Sequence, residues 1–166
     1  MIKVSYLSQY YPIFKDKTVV DIGCNAGVVT DIIAQYAKKV YGIERDSNIL
    51  KEADGIKWIK DNRKDNVEFI NLSIGEFLKK DYKFNAAYAS CVLYYLTDEE
   101  IELIETKLFP KCDLVMFVSY DIKPDLGNNK YSLGKWDNIQ ALLRKNGFGI
   151  SIKEKDSKWI VIVGRK

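Results

Sequence analysis

Apolar and polar positions alternate along the chain between short apolar runs and longer stretches with a helical stripe. The apolar runs predict strands, at 17–23, 40–44, 67–73, within 84–96, and at 113–120. The striped stretches predict helices, at 28–39, 47–64, 75–80, 97–107 and 135–146. Two last apolar runs within 149–164 are too close in sequence for a parallel crossover and predict an antiparallel hairpin.

This alternation of strands and helices predicts an α/β fold. We expect a doubly wound, mostly parallel seven-stranded sheet with helices on both faces and a C-terminal antiparallel hairpin. The chain has 166 residues, which is enough for one domain with a core, so we expect a single domain over 1–166. A hydrophobic fraction of 47% and a charged fraction of 30% are typical of a globular protein.

Composition excludes several classes of chemistry. The chain has no histidine, which excludes histidine-based triads and most zinc sites, and we predict no metal site. The three cysteines, Cys24, Cys91 and Cys112, are far apart and predict reduced thiols. Because no apolar run approaches the roughly 20 residues of a membrane span, we expect a cytoplasmic protein without a membrane partner. The net charge of +3 comes from scattered residues and does not indicate a nucleic-acid surface.

The stretch TVVDIGCNAGVVT, Thr18 to Thr30, carries the first candidate chemistry. An apolar strand ends at Asp21, and a loop with Gly23 and Gly27 leads into a helix. In doubly wound sheets, ligands bind at the carboxyl ends of the strands, where glycine lets the backbone approach them closely. Glycines in a tight strand–helix turn also serve packing alone, so the loop by itself leaves both interpretations open.

An acid at the end of the second predicted strand favours the ligand interpretation. Glu44 lies 21 positions after Gly23, the spacing at which a carboxylate accepts hydrogen bonds from the ribose hydroxyls of an adenosine cofactor. The alternative is a solvated acid at a strand end. Asp21 opens the loop with a carboxylate that would repel a pyrophosphate but suits a cationic ligand with an amino-acid tail.

Four stretches together resemble the class I S-adenosylmethionine (SAM) dependent methyltransferases. VVDIGCNAG resembles the family's first motif, VYGIERD the second, NVEFINLS the third and FNAAYASCVLYYL the fourth. The terminal hairpin is similar to the end of the family's seven-stranded sheet, in which one strand is antiparallel. The resemblance covers nearly the whole chain and implies SAM as the cofactor.

The resemblance implies a role for each matching position. The methionine part of SAM would be held by Asp21 and by the backbone of the loop, which includes Gly23, Cys24, Asn25 and Gly27. Glu44 would bind the ribose hydroxyls, Arg45 would flank the adenine, Ser73 and Ile74 would lie beside the adenine ring, and Ser90 would close the methionine side. The chain departs from common family residues at Asn25, Ser73 and Asn85. Asparagine enters left-handed backbone conformations more easily than other non-glycine residues, so the loop can still turn.

The resemblance also places an acceptor pocket near three segments: the N-terminal segment 1–16, the stretch 90–95 and the end of the fifth strand at 119–121. The substrate-binding candidates are tyrosines, at Tyr10, Tyr11, Tyr95 and Tyr120. The catalytic candidates are Tyr94 and Asp121. The alternative for Tyr94 and Tyr95 is packing against the next helix, and the alternative for Asp121 is an ordinary turn carboxylate.

The sequence therefore predicts a SAM-dependent methyltransferase that acts on a small-molecule acceptor by in-line displacement. Two alternatives stay open. The first is a SAM-binding pseudo-enzyme or partner subunit without transfer activity, motivated by the three departures and the lack of an evident base. The second is an RNA methyltransferase, motivated by basic residues at 57, 60, 63 and 64.

Overall fold

The computed structural model describes residues 7–53, 64–120, 129–155 and 159–166. Within these ranges the chain forms seven strands, namely β1 (Thr18–Ile22), β2 (Lys39–Ile43), β3 (Val67–Ile70), β4 (Ala86–Ser90), β5 (Leu114–Tyr120), β6 (Gly149–Lys155) and β7 (Trp159–Arg165). The strand order in the sheet is β3-β2-β1-β4-β5-β7-β6. Because the order reverses beside β1, the carboxyl end of β1 is a position where sheets of this kind bind ligands.

Strand directions confirm the predicted fold class. β1 pairs with β2 in parallel, with Asp21 opposite Gly42, and β2 pairs with β3 in parallel, with Gly42 opposite Phe69. At the other end, β7 runs antiparallel to both β5 and β6. The sheet is thus mostly parallel and ends in the predicted antiparallel hairpin, with β7 inserted between β5 and β6.

Five α-helices lie between the strands in the described ranges: α1 (Val28–Ile33), α2 (Ser47–Ala53), α3 (Ile74–Leu78), α4 (Asp98–Leu103) and α5 (Trp136–Lys145). A 3₁₀ helix, Ser8–Phe14, precedes β1. A capping box begins α4, since Thr97 Oγ1 accepts from Glu100 N and Glu100 Oε2 accepts from Thr97 N. A π-helical turn, Ile104–Leu108, continues α4.

Some predicted bounds are wrong. The helix predicted over 28–39 ends at Ile33, because Lys38 N and Lys39 N already donate to Lys17 O at 2.8 and 3.3 Å as the chain enters β2. The strand predicted over 67–73 ends at Ile70, because Ser73 is the N-cap of α3. Of the helix predicted over 47–64, the structure describes α2, and the stretch 54–63 lies outside the described residues.

The chain divides into two compact units, Met1–Ala86 and Ala87–Lys166. The first has a core of buried apolar side chains from β1, β2 and α3, including Val19, Val20, Ile43 and Phe77. The second has a core from β5, α5 and β7, including Phe117, Leu143 and Ile162. Each apolar side chain removed from water contributes about 1.5–3 kcal/mol to folding. The single domain remains a prediction. Across the described ranges, no helix has the length and apolar character needed to span a membrane.

Candidate cofactor site

Between β1 and α1 lies the segment Gly23–Gly27, which we call the glycine loop. Three of its residues have positive φ: 67° at Gly23, 54° at Asn25 and 82° at Gly27. Gly27 N donates to Cys24 O at 3.0 Å, which closes a tight turn around Asn25 and Ala26. The prediction that Asn25 can adopt a left-handed conformation is confirmed, and its Oδ1 supports the turn by accepting from Ala26 N at 2.6 Å.

Gly27 has a packing role besides its backbone role. A Cβ atom added to Gly27 would lie 2.3 Å from Phe69 Cζ, and one added to Gly42 would lie 2.9 Å from Phe69 Cδ1. The Phe69 ring therefore extends from β3 over β2 to the glycine loop, and both glycines make room for it. The sequence left two interpretations open for the loop glycines, close approach of a ligand and packing. At Gly27 the structure shows packing.

Asp21 lies at the end of β1 and is buried, with an exposed fraction of 2%. Thr30 Oγ1 on α1 donates to Asp21 Oδ2 at 2.6 Å. Burial raises the pKa of Asp21 to about 7, the Thr30 hydrogen bond lowers it, and the neighbouring charge of Glu44 raises it. The Asp21 carboxyl is therefore poised between its neutral and charged forms near neutral pH, and a nearby cation would favour the charged form.

Glu44 follows β2 directly and is half-buried. Its Oε2 accepts from Asn25 N at 3.1 Å and its Oε1 accepts from Asp46 N at 3.0 Å, so the carboxylate is fixed against the glycine loop. A carboxylate offers about four lone-pair sites, and these two bonds leave each oxygen able to accept one more. The geometry therefore fits a ligand that presents two neighbouring hydroxyl groups, as a ribose does.

The other loop and strand-end candidates have scaffold contacts. Cys24 N donates to Ile43 O at 3.0 Å, which extends the β1–β2 pairing into the loop. The Cys24 thiol is buried, and burial raises its pKa well above the ordinary value, so it stays protonated. Arg45 is exposed, and Asn71 Nδ2 donates to the main-chain oxygens of Glu44 and Arg45 at 2.9 and 3.1 Å.

Two candidates for the adenine side lie at the start of α3. Ser73 Oγ accepts from Glu76 N at 3.2 Å and Ser73 N donates to Glu76 Oε2 at 2.8 Å, which makes Ser73 a helix cap. Ile74 is buried. The departure at Asn85 serves the fold, because Asn85 Oδ1 accepts from Thr18 N and Asn85 N donates to Thr18 O, both at 3.0 Å.

In the second unit, Ser90 ends β4, and its buried Oγ has no hydrogen-bond partner among the described residues. A short 3₁₀ turn, Leu93–Tyr95, follows and is called here the tyrosine turn. Tyr94 is buried, whereas Tyr95 is 58% exposed, and their ring centroids lie 4.4 Å apart. Burial raises the pKa of Tyr94 above its ordinary value, so this phenol keeps its proton at neutral pH.

The remaining candidates are spread over the chain. Tyr10 and Tyr11 lie in the 3₁₀ helix Ser8–Phe14, where Tyr11 is fully buried. Tyr120 is the last residue of β5 and pairs with Trp159 of β7. Asp121 lies outside the described residues. Across the described ranges, no cluster of three or more metal-ligating side chains occurs.

Three further residues shape these regions and were not predicted from the sequence: Thr30, Phe69 and Asn129. Thr30 holds Asp21 on β1, Phe69 packs against Gly27 of the glycine loop, and Asn129 Nδ2 donates to the tyrosine turn at Leu93 O. Gly42 was the available signal for Phe69, since a glycine inside a strand often marks the close approach of another group. Thr30, in the first turn of α1, and Asn129, 36 residues from Leu93, give no local signal in the sequence.

Comparison with protein families gives a match over most of the chain. A family model described as a methyltransferase domain matches residues 13–155, which includes the glycine loop, Glu44 and the tyrosine turn. A comparison with curated protein sequences gives no match.

Solved structures share the fold at low sequence identity. Magnesium protoporphyrin IX methyltransferase from Synechocystis PCC 6803, solved with bound SAM, is 18% identical, with 98% of this chain and 77% of that chain covered and a TM-score of 0.70. A putative SAM-dependent methyltransferase from Listeria monocytogenes is 19% identical over 98% of this chain and 97% of that chain, with a TM-score of 0.70. A precorrin-6y methyltransferase from Geobacter metallireducens is 14% identical over 97% of this chain and 86% of that chain, with a TM-score of 0.70.

Proposed function

Because this chain belongs to the methyltransferase domain family, we propose that it binds SAM at the glycine loop and Glu44 and transfers the methyl group to a small-molecule acceptor. The observation that carries the proposal is the fixed Glu44 carboxylate, held by Asn25 N and Asp46 N with one lone pair left on each oxygen. Two neighbouring ribose hydroxyls match these two acceptors. The neighbour from Synechocystis, which was solved with SAM, supports the same cofactor.

Asp21, on β1 just before the glycine loop, supplies a second carboxyl group near the proposed cofactor site. Burial raises the pKa of its carboxyl to about 7, and a cation beside it favours the carboxylate. Bound SAM supplies a methyl group on a positively charged sulfonium, together with an amino-acid tail. Thr30 holds the Asp21 carboxyl in place, so no rearrangement of this side chain is needed when the ligand arrives.

Methyl transfer needs alignment of the acceptor with the sulfur–methyl bond more than it needs a trap for charge. A base is required only for an acceptor that arrives protonated. Tyr94 keeps its proton at neutral pH, so within this proposal it donates a hydrogen bond to the acceptor rather than removing a proton from it. Asp121 remains the proposed base, and Ser90, Tyr10, Tyr11, Tyr95 and Tyr120 remain proposed contacts of cofactor or acceptor.

A small molecule is the proposed acceptor class. The names of two structural neighbours, magnesium protoporphyrin IX methyltransferase and precorrin-6y methyltransferase, contain small-molecule acceptors, which supports this choice. The basic positions behind the RNA alternative are Lys57, Lys60, Arg63 and Lys64, of which only Lys64 lies among the described residues. No contact of Lys64 favours RNA over an ordinary solvated surface.

The test is incubation of the protein with methyl-labelled SAM and a fractionated cell extract. We expect label in the low-molecular-mass fraction, and its loss with the Glu44→Ala variant. Label in the RNA fraction would favour the RNA alternative. SAM binding without label in any fraction would favour the pseudo-enzyme alternative.

A further inference from the structure

The tyrosine turn presents an aromatic ring to solvent. Among the described residues, the exposed large hydrophobic side chains are Tyr95, at 58%, and Tyr36, at 38%. The Tyr95 ring lies 4.4 Å from the buried Tyr94 ring, with an angle of 55° between their planes. Tyr95 therefore has a buried aromatic neighbour that supports it while most of its own surface stays accessible.

A buried amide holds the turn from a distant part of the chain. Asn129 is 6% exposed, and its Nδ2 donates to Leu93 O at 3.3 Å and to Leu96 O at 3.1 Å. These two carbonyl oxygens lie at the start of the tyrosine turn and directly after it. Both acceptors are oxygens, so only the amide nitrogen can face them, and the orientation of the Asn129 side chain is fixed.

The next residue reinforces this contact. Lys130 N donates to Asp98 Oδ1 at 2.7 Å, and Lys130 Nζ forms an ion pair with Glu102 at 2.6 Å. The ion pair is more than half exposed at both ends and contributes little by itself. The turn has its own main-chain hydrogen bonds, from Tyr95 N to Val92 O at 2.9 Å and from Leu96 N to Leu93 O at 3.4 Å. The buried Asn129 amide, which donates to two main-chain oxygens at once, is the long-range restraint added to them.

We propose that Tyr95 is a stacking platform for a planar ring of the acceptor and that Asn129 is the positioning residue that holds this platform. The proposal rests on the proposed function, and it adds the chemical class of the acceptor. A ring that is held in place before binding loses little conformational freedom when a flat ligand stacks on it. A ligand without a flat face gains less from the same surface.

The experiment uses 2-naphthol as a planar probe and decahydro-2-naphthol as its saturated, non-planar counterpart, with the full chain of 166 residues. Calorimetric titration of the wild type should give at least about tenfold tighter binding of 2-naphthol. Tyr95→Ala should weaken 2-naphthol binding about tenfold, equivalent to about 1.4 kcal/mol, and Tyr95→Phe should retain it. Tyr36→Ala, which removes the other exposed ring, is the matched control and should leave the Kd unchanged.

Asn129→Asp tests the positioning role, because it keeps the shape of the side chain but replaces the amide donors with a carboxylate. It should weaken 2-naphthol binding several-fold and leave the Kd for SAM unchanged, and Asn129→Ala should behave in the same way. Equal losses of affinity for 2-naphthol and for SAM in the Asn129 variants would overturn the positioning role. Equal binding of the two naphthol probes, an unchanged Kd in Tyr95→Ala, or no binding of 2-naphthol at millimolar concentration would overturn the platform. Failure of the wild type to bind SAM would instead count against the proposed function.

Discussion

The glycine loop after β1 and the tyrosine turn after β4 are held in different ways. The glycine loop is fixed by its own backbone conformation, by Glu44 after β2 and by Phe69 of β3. Thr30 of α1 holds Asp21 on the strand before the loop. The tyrosine turn is fixed by the Asn129 side chain, 36 residues away from Leu93. The first arrangement depends on residues in and beside the loop, whereas the second depends in part on one side chain from a distant point in the sequence.

Response to pH should give the largest difference between the two regions. The pKa of Asp21 is about 7 in the folded protein and 3.8 in the reference state, so the folded protein binds more protons between these values. The free energy of unfolding therefore falls as the pH rises from about 4 to about 7. Asp21→Asn removes this pH dependence. Between about pH 4 and pH 7, the free energy of unfolding of the wild type should fall by up to about 4 kcal/mol more than that of Asp21→Asn. Tyr94, in the tyrosine turn, keeps its proton throughout this range, because the ordinary tyrosine pKa already lies above it and burial raises the pKa further.

Urea denaturation of the wild type and Asp21→Asn at several pH values measures this difference. Thr30→Val is a useful companion, because loss of its hydrogen bond to Asp21 should move the midpoint of the slope to higher pH. Parallel pH profiles for the wild type and Asp21→Asn would show that Asp21 does not titrate in this range.

Tight packing of the glycine loop should give the next largest effect. Gly27→Ala combines a positive φ of 82° with a Cβ placed 2.3 Å from the Phe69 ring. We expect a loss of about 3 kcal/mol in the free energy of unfolding, from backbone strain and overpacking together. Gly147→Ala is a matched control, since Gly147 has the same φ of 82° but open space around it, and it should lose only about 1 kcal/mol.

Chemical denaturation of both glycine variants checks this prediction. Phe69→Leu added to Gly27→Ala should recover part of the loss, because it removes the ring that the new Cβ meets. Equal losses in the two glycine variants would mean that Phe69 does not restrict the loop.

Substitutions of Asn25 and Asn129 compare the stability that a local hydrogen bond contributes with the stability that a long-range one contributes. Asn25 bonds to the next residue, and its φ of 54° is one that glycine adopts freely, so Asn25→Gly should be nearly neutral and Asn25→Ala should cost about 1 kcal/mol. Asn129→Ala leaves two main-chain oxygens without this donor and should cost about 2 kcal/mol. Thermal unfolding of the three variants ranks them, and a larger loss for Asn25→Ala than for Asn129→Ala would reverse the comparison.

The same difference explains what the sequence could predict. β1, the glycine loop and the position of Glu44 at the end of β2 follow from short-range patterns: an apolar run, two glycines, and an acid at a fixed spacing. The capping box at Thr97 and Glu100 and the left-handed Asn25 were predictable for the same reason, because each depends on residues a few positions apart. Helix and strand ends were less predictable, as where Lys38 and Lys39 turn back to Lys17.

Long-range contacts were beyond the sequence pattern. Nothing near Asn129 indicates that its amide reaches Leu93, and nothing near Thr30 indicates that its hydroxyl meets Asp21. The ring of Phe69 against Gly27 depends on the parallel register of β2 and β3, which places Phe69 opposite Gly42. Such contacts are set by how the strands align, and one sequence pattern is compatible with several alignments.

Calorimetric titration with SAM of the wild type, Glu44→Gln and Glu68→Gln tests whether Glu44 binds the cofactor. Glu44→Gln replaces one carboxylate oxygen with an NH2 group, which can accept neither from a main-chain N–H nor from a ribose hydroxyl, and we expect the Kd to rise about 10- to 100-fold. Glu68, on β3, pairs with Lys39 at the surface, so Glu68→Gln should leave the Kd unchanged. Absence of SAM binding by the wild type, or equal Kd values for all three proteins, would contradict the assignment of this site.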